Sequence, residues 1–125
     1  MNKNLKKGIE LIKQVENSAA ISYLKKALES DPQNPEIYRH LGLASFNLGQ
    51  YEKALSYWTK AVELAPTNHQ TLWNLGNLHE MEKRFDKAFE AYQQAATVAE
   101  KSSDLKKAKR YKEWAAKVKQ SENEI

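Results

Sequence analysis

No cysteine occurs in the 125 residues, which excludes disulfide scaffolds, thiolate metal sites and cysteine nucleophiles together. Nothing in the chain therefore demands an oxidising compartment. No stretch approaches the roughly eighteen consecutive apolar residues of a membrane span. The first residues, MNKNLKKGIELIKQVENS, carry lysines but no unbroken apolar run, because Glu10 and Lys13 interrupt it, and no small-residue cleavage site follows. From these absences a soluble, cytoplasmic protein is expected.

Catalytic patterns are missing as well. His40, His69 and His79 are the only histidines, and no pair stands at metal-ligand spacing. His79-Glu80 begins like a zinc-protease helix, but Lys83 occupies the place of the second histidine, so His79 reads as a packed, hydrogen-bonded side chain. The glycines are isolated and form no phosphate loop, and no serine stands in a nucleophile-elbow setting. No catalytic residue, metal ligand or cofactor is expected, and the chain does not read as an enzyme.

Glycine and proline are scarce, at four and three, and their placement is informative. Gly8, Gly42 and Gly76 lie 34 residues apart; so do Ala20, Ala54 and Ala88, and again Ala27, Ala61 and Ala95. Pro32 and Pro66 keep the same step. Three small-residue positions holding one period through three cycles mark an internal repeat. A glycine inside a helix costs about 1 kcal/mol relative to alanine, so a repeated one needs a reason. Close approach of two helices supplies it, with the glycine of the first helix expected to meet the alanine of the second.

Each unit reads as two helices. In the second, Asn34 suits an N-cap and Pro35 the first helical position. Leu41, Leu48, Leu55, Trp58 and Val62 give helical periodicity, and Gly49 makes the turn between the helices. Asp31-Pro32 and Ala65-Pro66 stop the second helices. After the third unit, Leu105, Ala108, Tyr111, Ala115 and Val118 form the apolar stripe of a lone seventh helix with Ser103 as N-cap.

These residues resemble the tetratricopeptide repeat family. The second unit shows its aromatic-x-x-Leu-Gly start as Tyr38, Leu41 and Gly42, followed by Ala54, Trp58, Ala61 and Pro66. The third keeps Leu75, Gly76, Ala88, Tyr92 and Ala95, with Leu72 for the leading aromatic and Glu100 for the terminal proline. The first keeps Gly8, Ala20, Ala27 and Pro32, but has polar Asn4 and Lys7 at normally apolar positions and lacks the glycine turn. The resemblance implies an all-α fold: a right-handed α-solenoid of three helix hairpins and a capping helix. It gives one domain over 1–120, with repeats at 1–34, 35–68 and 69–102, a capping helix at 103–120 and a frayed tail at 121–125.

The resemblance also implies a concave groove lined by the first helices, binding an extended peptide or amphipathic helix of another protein. The positions that would line it are Leu5, Ile9, Ile12, Arg39, Leu43, Phe46, Asn47, Gln70, Trp73, Asn77, Glu80 and Met81. Glu36 would join them, and Lys107, Tyr111 and Trp114 would flank from the cap. Leu5, Ile9 and Ile12 have an equal alternative, rotating inward to pack on Ile21 and Leu24. Trp73 lies about 100° round from the packing face of Leu72, Leu75 and Leu78, so it is expected to project freely. Family members that clamp acidic chaperone tails use lysine, asparagine and arginine where this chain has Leu5, Ile9, Gln70 and Asn74, so no carboxylate clamp is expected.

The formal charge is +4, and its excess sits late: from Lys101 to Lys119 eight Lys or Arg face only Asp104 and Glu113. The bland reading is a solvated helix face. The alternatives to a peptide adaptor are nucleic-acid or acidic-surface binding through this helix, and homo-oligomeric assembly through the first unit.

Overall fold

The computed structural model describes residues 1–123. It contains helices α1 (Lys3–Lys13), α2 (Asn17–Ser30), α3 (Pro35–Asn47), α4 (Tyr51–Leu64), α5 (His69–Met81), α6 (Phe85–Lys101) and α7 (Leu105–Asn123). The hairpins fall where the 34-residue period places them. The contacts group the chain into two compact units, the first Met1–Ala65 and the second from Pro66 onward.

Every first helix starts on an asparagine cap. Asn2 accepts from the backbone N–H groups of Asn4 and Leu5, Asn34 from Glu36, and Asn68 from Gln70 and Thr71, satisfying donors that a helix start leaves unpaired. The second helices start without a side-chain cap. They follow a turn whose central residue is left-handed: Val15 (φ 62°), Gly49 (φ 75°) and Lys83 (φ 60°), again 34 residues apart. After each, the next N–H donates back to a carbonyl of the preceding helix: Glu16 to Leu11, Gln50 to Ser45 and Arg84 to His79, at 2.8–2.9 Å. This is the Schellman closure of a helix end. Only one of the three turns carries glycine, so the first hairpin has the expected turn without the residue that announces it.

The same device joins α6 to α7. Ser103 is left-handed (φ 62°) and Asp104 N–H donates to Ala99 O at 2.8 Å. Ser103 is therefore not the N-cap; Asp104 is, its carboxylate accepting from the Lys107 N–H at 3.2 Å. The helix also runs further than expected. Residues 121–123 of the anticipated frayed tail are helical, and 124–125 lie outside the described residues.

The repeated glycines make close crossings, but not against the alanines. A Cβ on Gly8 would come 2.6 Å from the Leu24 side chain. One on Gly42 would overlap the Trp58 indole, and one on Gly76 the Tyr92 ring. The glycine thus makes room for the large residue sixteen positions on, and the alanines at the second-helix positions pack fully buried around it. Trp58 is held further by its indole N–H, which donates to Arg39 O at 3.0 Å.

In unit two, α7 lies along α6 and buries Ala108, Tyr111, Ala115 and Val118. Leu105, expected in that stripe, is exposed. No described helix is long and apolar enough to cross a membrane.

Candidate functional site

In unit one the expected face divides. Leu5 is 3% exposed and belongs to the core with Leu11, Leu24, Ile37 and Leu41, so it is not a groove residue. Ile9 and Ile12 are half-buried against that core, which resolves the alternative left open at the first helix in favour of packing.

On α3 the face is more open. Arg39 and Glu36 form a two-pronged ion pair, Nη2–Oε2 at 2.8 Å and Nε–Oε1 at 3.1 Å. The hydrogen bonds from Arg39 hold the Glu36 carboxyl below the usual carboxylate range despite partial burial. Leu43 is half-buried, and Phe46 leans back on its own hairpin, 5.6 Å from Trp58 and 5.4 Å from Tyr51 between ring centroids. Asn47 is exposed but tied down, its amide donating to the buried Asn17 at 3.1 Å. Behind this face His40 is buried, with Nδ1 2.8 Å from Glu36 O; burial pushes its pKa down, and the neutral ring donates to that carbonyl.

Unit two gathers the remaining positions around one indole. Trp73 stacks on Tyr111 at 5.1 Å, tilts against Tyr92 at 5.0 Å and meets Trp114 edge-on at 5.7 Å. It does not project freely as expected, because α7 reaches back over α5 and covers much of it. Tyr111 is 4% exposed and is core rather than groove; its hydroxyl lies 2.9 Å from His69 Nδ1. Asn77 and Glu80 are likewise engaged. The Tyr92 hydroxyl is 2.7 Å from Asn77 Oδ1 and donates to Glu80 Oε1 at 2.8 Å, and Trp114 Nε1 donates to that same oxygen at 2.9 Å. Burial, reinforced by the Glu80 carboxylate, pushes the Tyr92 hydroxyl far above the usual phenol range, so it remains a donor.

Of the expected positions on α5, Gln70 and Met81 stay open, Met81 at 52% exposure. His79 is half-buried and accepts from Arg84 Nε at 3.1 Å; burial and the charges of Arg84 and Lys87 hold it neutral. From the sequence, Tyr111 is expected in the apolar stripe of α7 and, with Trp114, at the flank of the groove, but neither is expected against Trp73. Their spacing of three on α7, at the edge of its apolar stripe, was the available signal that they face α5. Among the described residues no group of three or more His, Asp or Glu side chains is placed to hold a metal.

A family model described as "Tetratricopeptide repeat" matches residues 34–101, and a second, "TPR repeat", matches 8–49. No curated protein matches the sequence. Among solved structures, a T3SS complex from Aeromonas hydrophila superposes with a TM-score of 0.90 at 14% identity, covering 97% of this chain and 81% of that one. The Sgt2 TPR domain from Aspergillus fumigatus gives 0.84 at 24% identity, covering 98% and 81%. PcrH, in complex with the chaperone binding region of PopD, gives 0.83 at 16% identity, covering 94% and 91%. Identities this low carry the fold alone, and they place it among all-α solenoids of helix hairpins.

Proposed function

The chain belongs to the tetratricopeptide repeat family, and from that premise we propose that it is a protein-interaction adaptor, not an enzyme. The partner is an extended segment or amphipathic helix of another protein, laid against the first helix of a hairpin. The observation that carries this reading is the state of Trp73. It is held in one orientation by three rings, yet keeps part of its surface open beside exposed Gln70 and Met81. The open part of an aromatic ring whose orientation is already fixed loses little entropy on binding, which suits a contact hot spot. On α3, Leu43 and Phe46 present a smaller surface of the same kind, bordered by Arg39. The PcrH structure shows a related fold holding a region of a partner protein.

The test is a titration of a captured partner against wild type and the Gln70→Arg/Met81→Glu double variant. Both side chains are exposed, so folding should survive, as circular dichroism would check. The expected result is at least a tenfold weaker complex. A partner bound as tightly by the double variant as by wild type would sink the assignment of this face.

A further inference from the structure

Of the seven cations of α7, Lys106 and Lys109 are exposed on other sides of the helix, and the remaining five fall into two groups. On the edge facing α6, Lys112 pairs with Glu100, and Lys119 lies 4.7 Å above the Phe89 ring and 3.9 Å from Glu122. These are committed within the fold. On the opposite flank, Lys107, Arg110, Trp114 and Lys117 recur at steps of three and four and share a side of the helix. That side faces α5, since Trp114 meets Trp73 and donates to Glu80 there. Arg110 is held 5.8 Å over the Trp73 ring and Lys117 5.1 Å over the Trp114 ring. None of Lys107, Arg110 and Lys117 forms an ion pair with a carboxylate among the described residues.

We propose that this α5–α7 flank of unit two docks an acidic segment of a partner protein through side-chain carboxylates. The inference rests on the adaptor reading and supplies its partner chemistry. The acids near the flank are not paired with these three cations. Glu80 already accepts from Tyr92 and Trp114, and Asp104 faces His69 and caps α7. Glu113 sits on the outer face of the helix. Each aromatic ring beneath a cation limits its motion and shields it on one side from water, leaving the guanidinium fork or ammonium to meet a carboxylate. Lys107 to Lys117 spans about 15 Å along the helix at its rise per residue, the reach of roughly five residues of extended chain. Carboxylates within such a segment suffice, so no free C-terminus is needed. A single-stranded nucleic acid fits less well, because the ring faces on which bases would stack are occupied by Tyr111, Arg110 and Lys117.

The experiment uses the full chain and a fluorescein-labelled, C-terminally amidated peptide of Glu and Asp around a central Leu. Its Gln/Asn counterpart and a single-stranded oligonucleotide of equal charge are the comparison probes. The acidic peptide should bind, weaken as salt rises, and lose about tenfold or more in affinity with Arg110→Gln/Lys117→Gln. It should be unaffected by Lys25→Gln/Lys53→Gln, which removes two exposed lysines elsewhere. Because the first variant touches ring packing, the indole N–H resonances of wild type provide a second readout: Trp73 and Trp114 should shift on titration while Trp58 stays still. Equal binding of the neutral peptide, shifts confined to other residues, or tighter binding of the oligonucleotide at the same salt would each overturn the proposal. If the peptide fails while Gln70→Arg/Met81→Glu still releases a captured partner, this inference falls and the adaptor reading stands.

Discussion

Removing Trp73 is the perturbation for which sequence and structure predict different numbers. A freely projecting tryptophan should cost about 1 kcal/mol or less on truncation, as exposed sites do. In the structure Trp73 contacts Tyr92, Tyr111 and Trp114, and each aromatic pair contributes about 0.5–1.5 kcal/mol beyond area burial, though not additively. A fully buried Phe or Trp truncated to alanine costs about 3–5 kcal/mol, and partial exposure reduces that. Trp73→Ala is therefore expected to destabilise by about 2–3 kcal/mol. Trp58→Ala should lose more, about 3–5 kcal/mol, since Trp58 is 2% exposed, fills the space over Gly42 and donates to Arg39 O. Urea denaturation followed by far-ultraviolet circular dichroism measures both. The near-ultraviolet signal should collapse in Trp73→Ala at low urea, because three rings lose their fixed neighbour. A Trp73→Ala loss below about 1 kcal/mol would refute the covered-indole reasoning and restore the freely projecting side chain.

Other expectations follow from single positions. Val15 is a β-branched residue held at φ 62° and is 79% exposed, so Val15→Gly should raise stability by about 1 kcal/mol, read as a higher melting temperature. The Ser45 hydroxyl is buried with no hydrogen-bond partner, and Ser45→Ala should be neutral or stabilising by about 1 kcal/mol in the same assay. For His40 burial lowers the folded pKa beneath the ordinary 6.5, so the unfolded chain takes up the proton first. Its contribution is whole above pH 6.5 and is lost as pH falls below that toward the folded value; His79 shifts in the same direction. Denaturation midpoints should therefore fall from pH 7 to pH 5, less steeply in His40→Gln.

The hairpins and their boundaries were readable because close helix crossings demand tiny residues, and tiny residues recur visibly. Pro32, Pro66 and Asn34 marked helix ends by chemistry that acts within a few residues. The turns at Val15, Lys83 and Ser103 were not readable, since a left-handed backbone leaves no mark when a residue other than glycine adopts it. The partner of each glycine was misjudged because spacing shows which positions repeat, not which of two repeating neighbours fills the space. The candidate site suffered most. Whether Leu5 faces inward depends on Leu24, Ile37 and Leu41, and whether Trp73 is covered depends on Tyr111 and Trp114, in each case residues well separated along the chain. No local periodicity encodes those contacts.

Site-specific photo-crosslinking in the native cell tests the adaptor claim most directly. A photoreactive residue is placed at Gln70 or Met81 on α5, and at Gln94 on the exposed side of α6 as the comparison. The account predicts one discrete protein adduct from positions 70 and 81 and none from 94. The same adduct from 94, with nothing from 70 or 81, would contradict it.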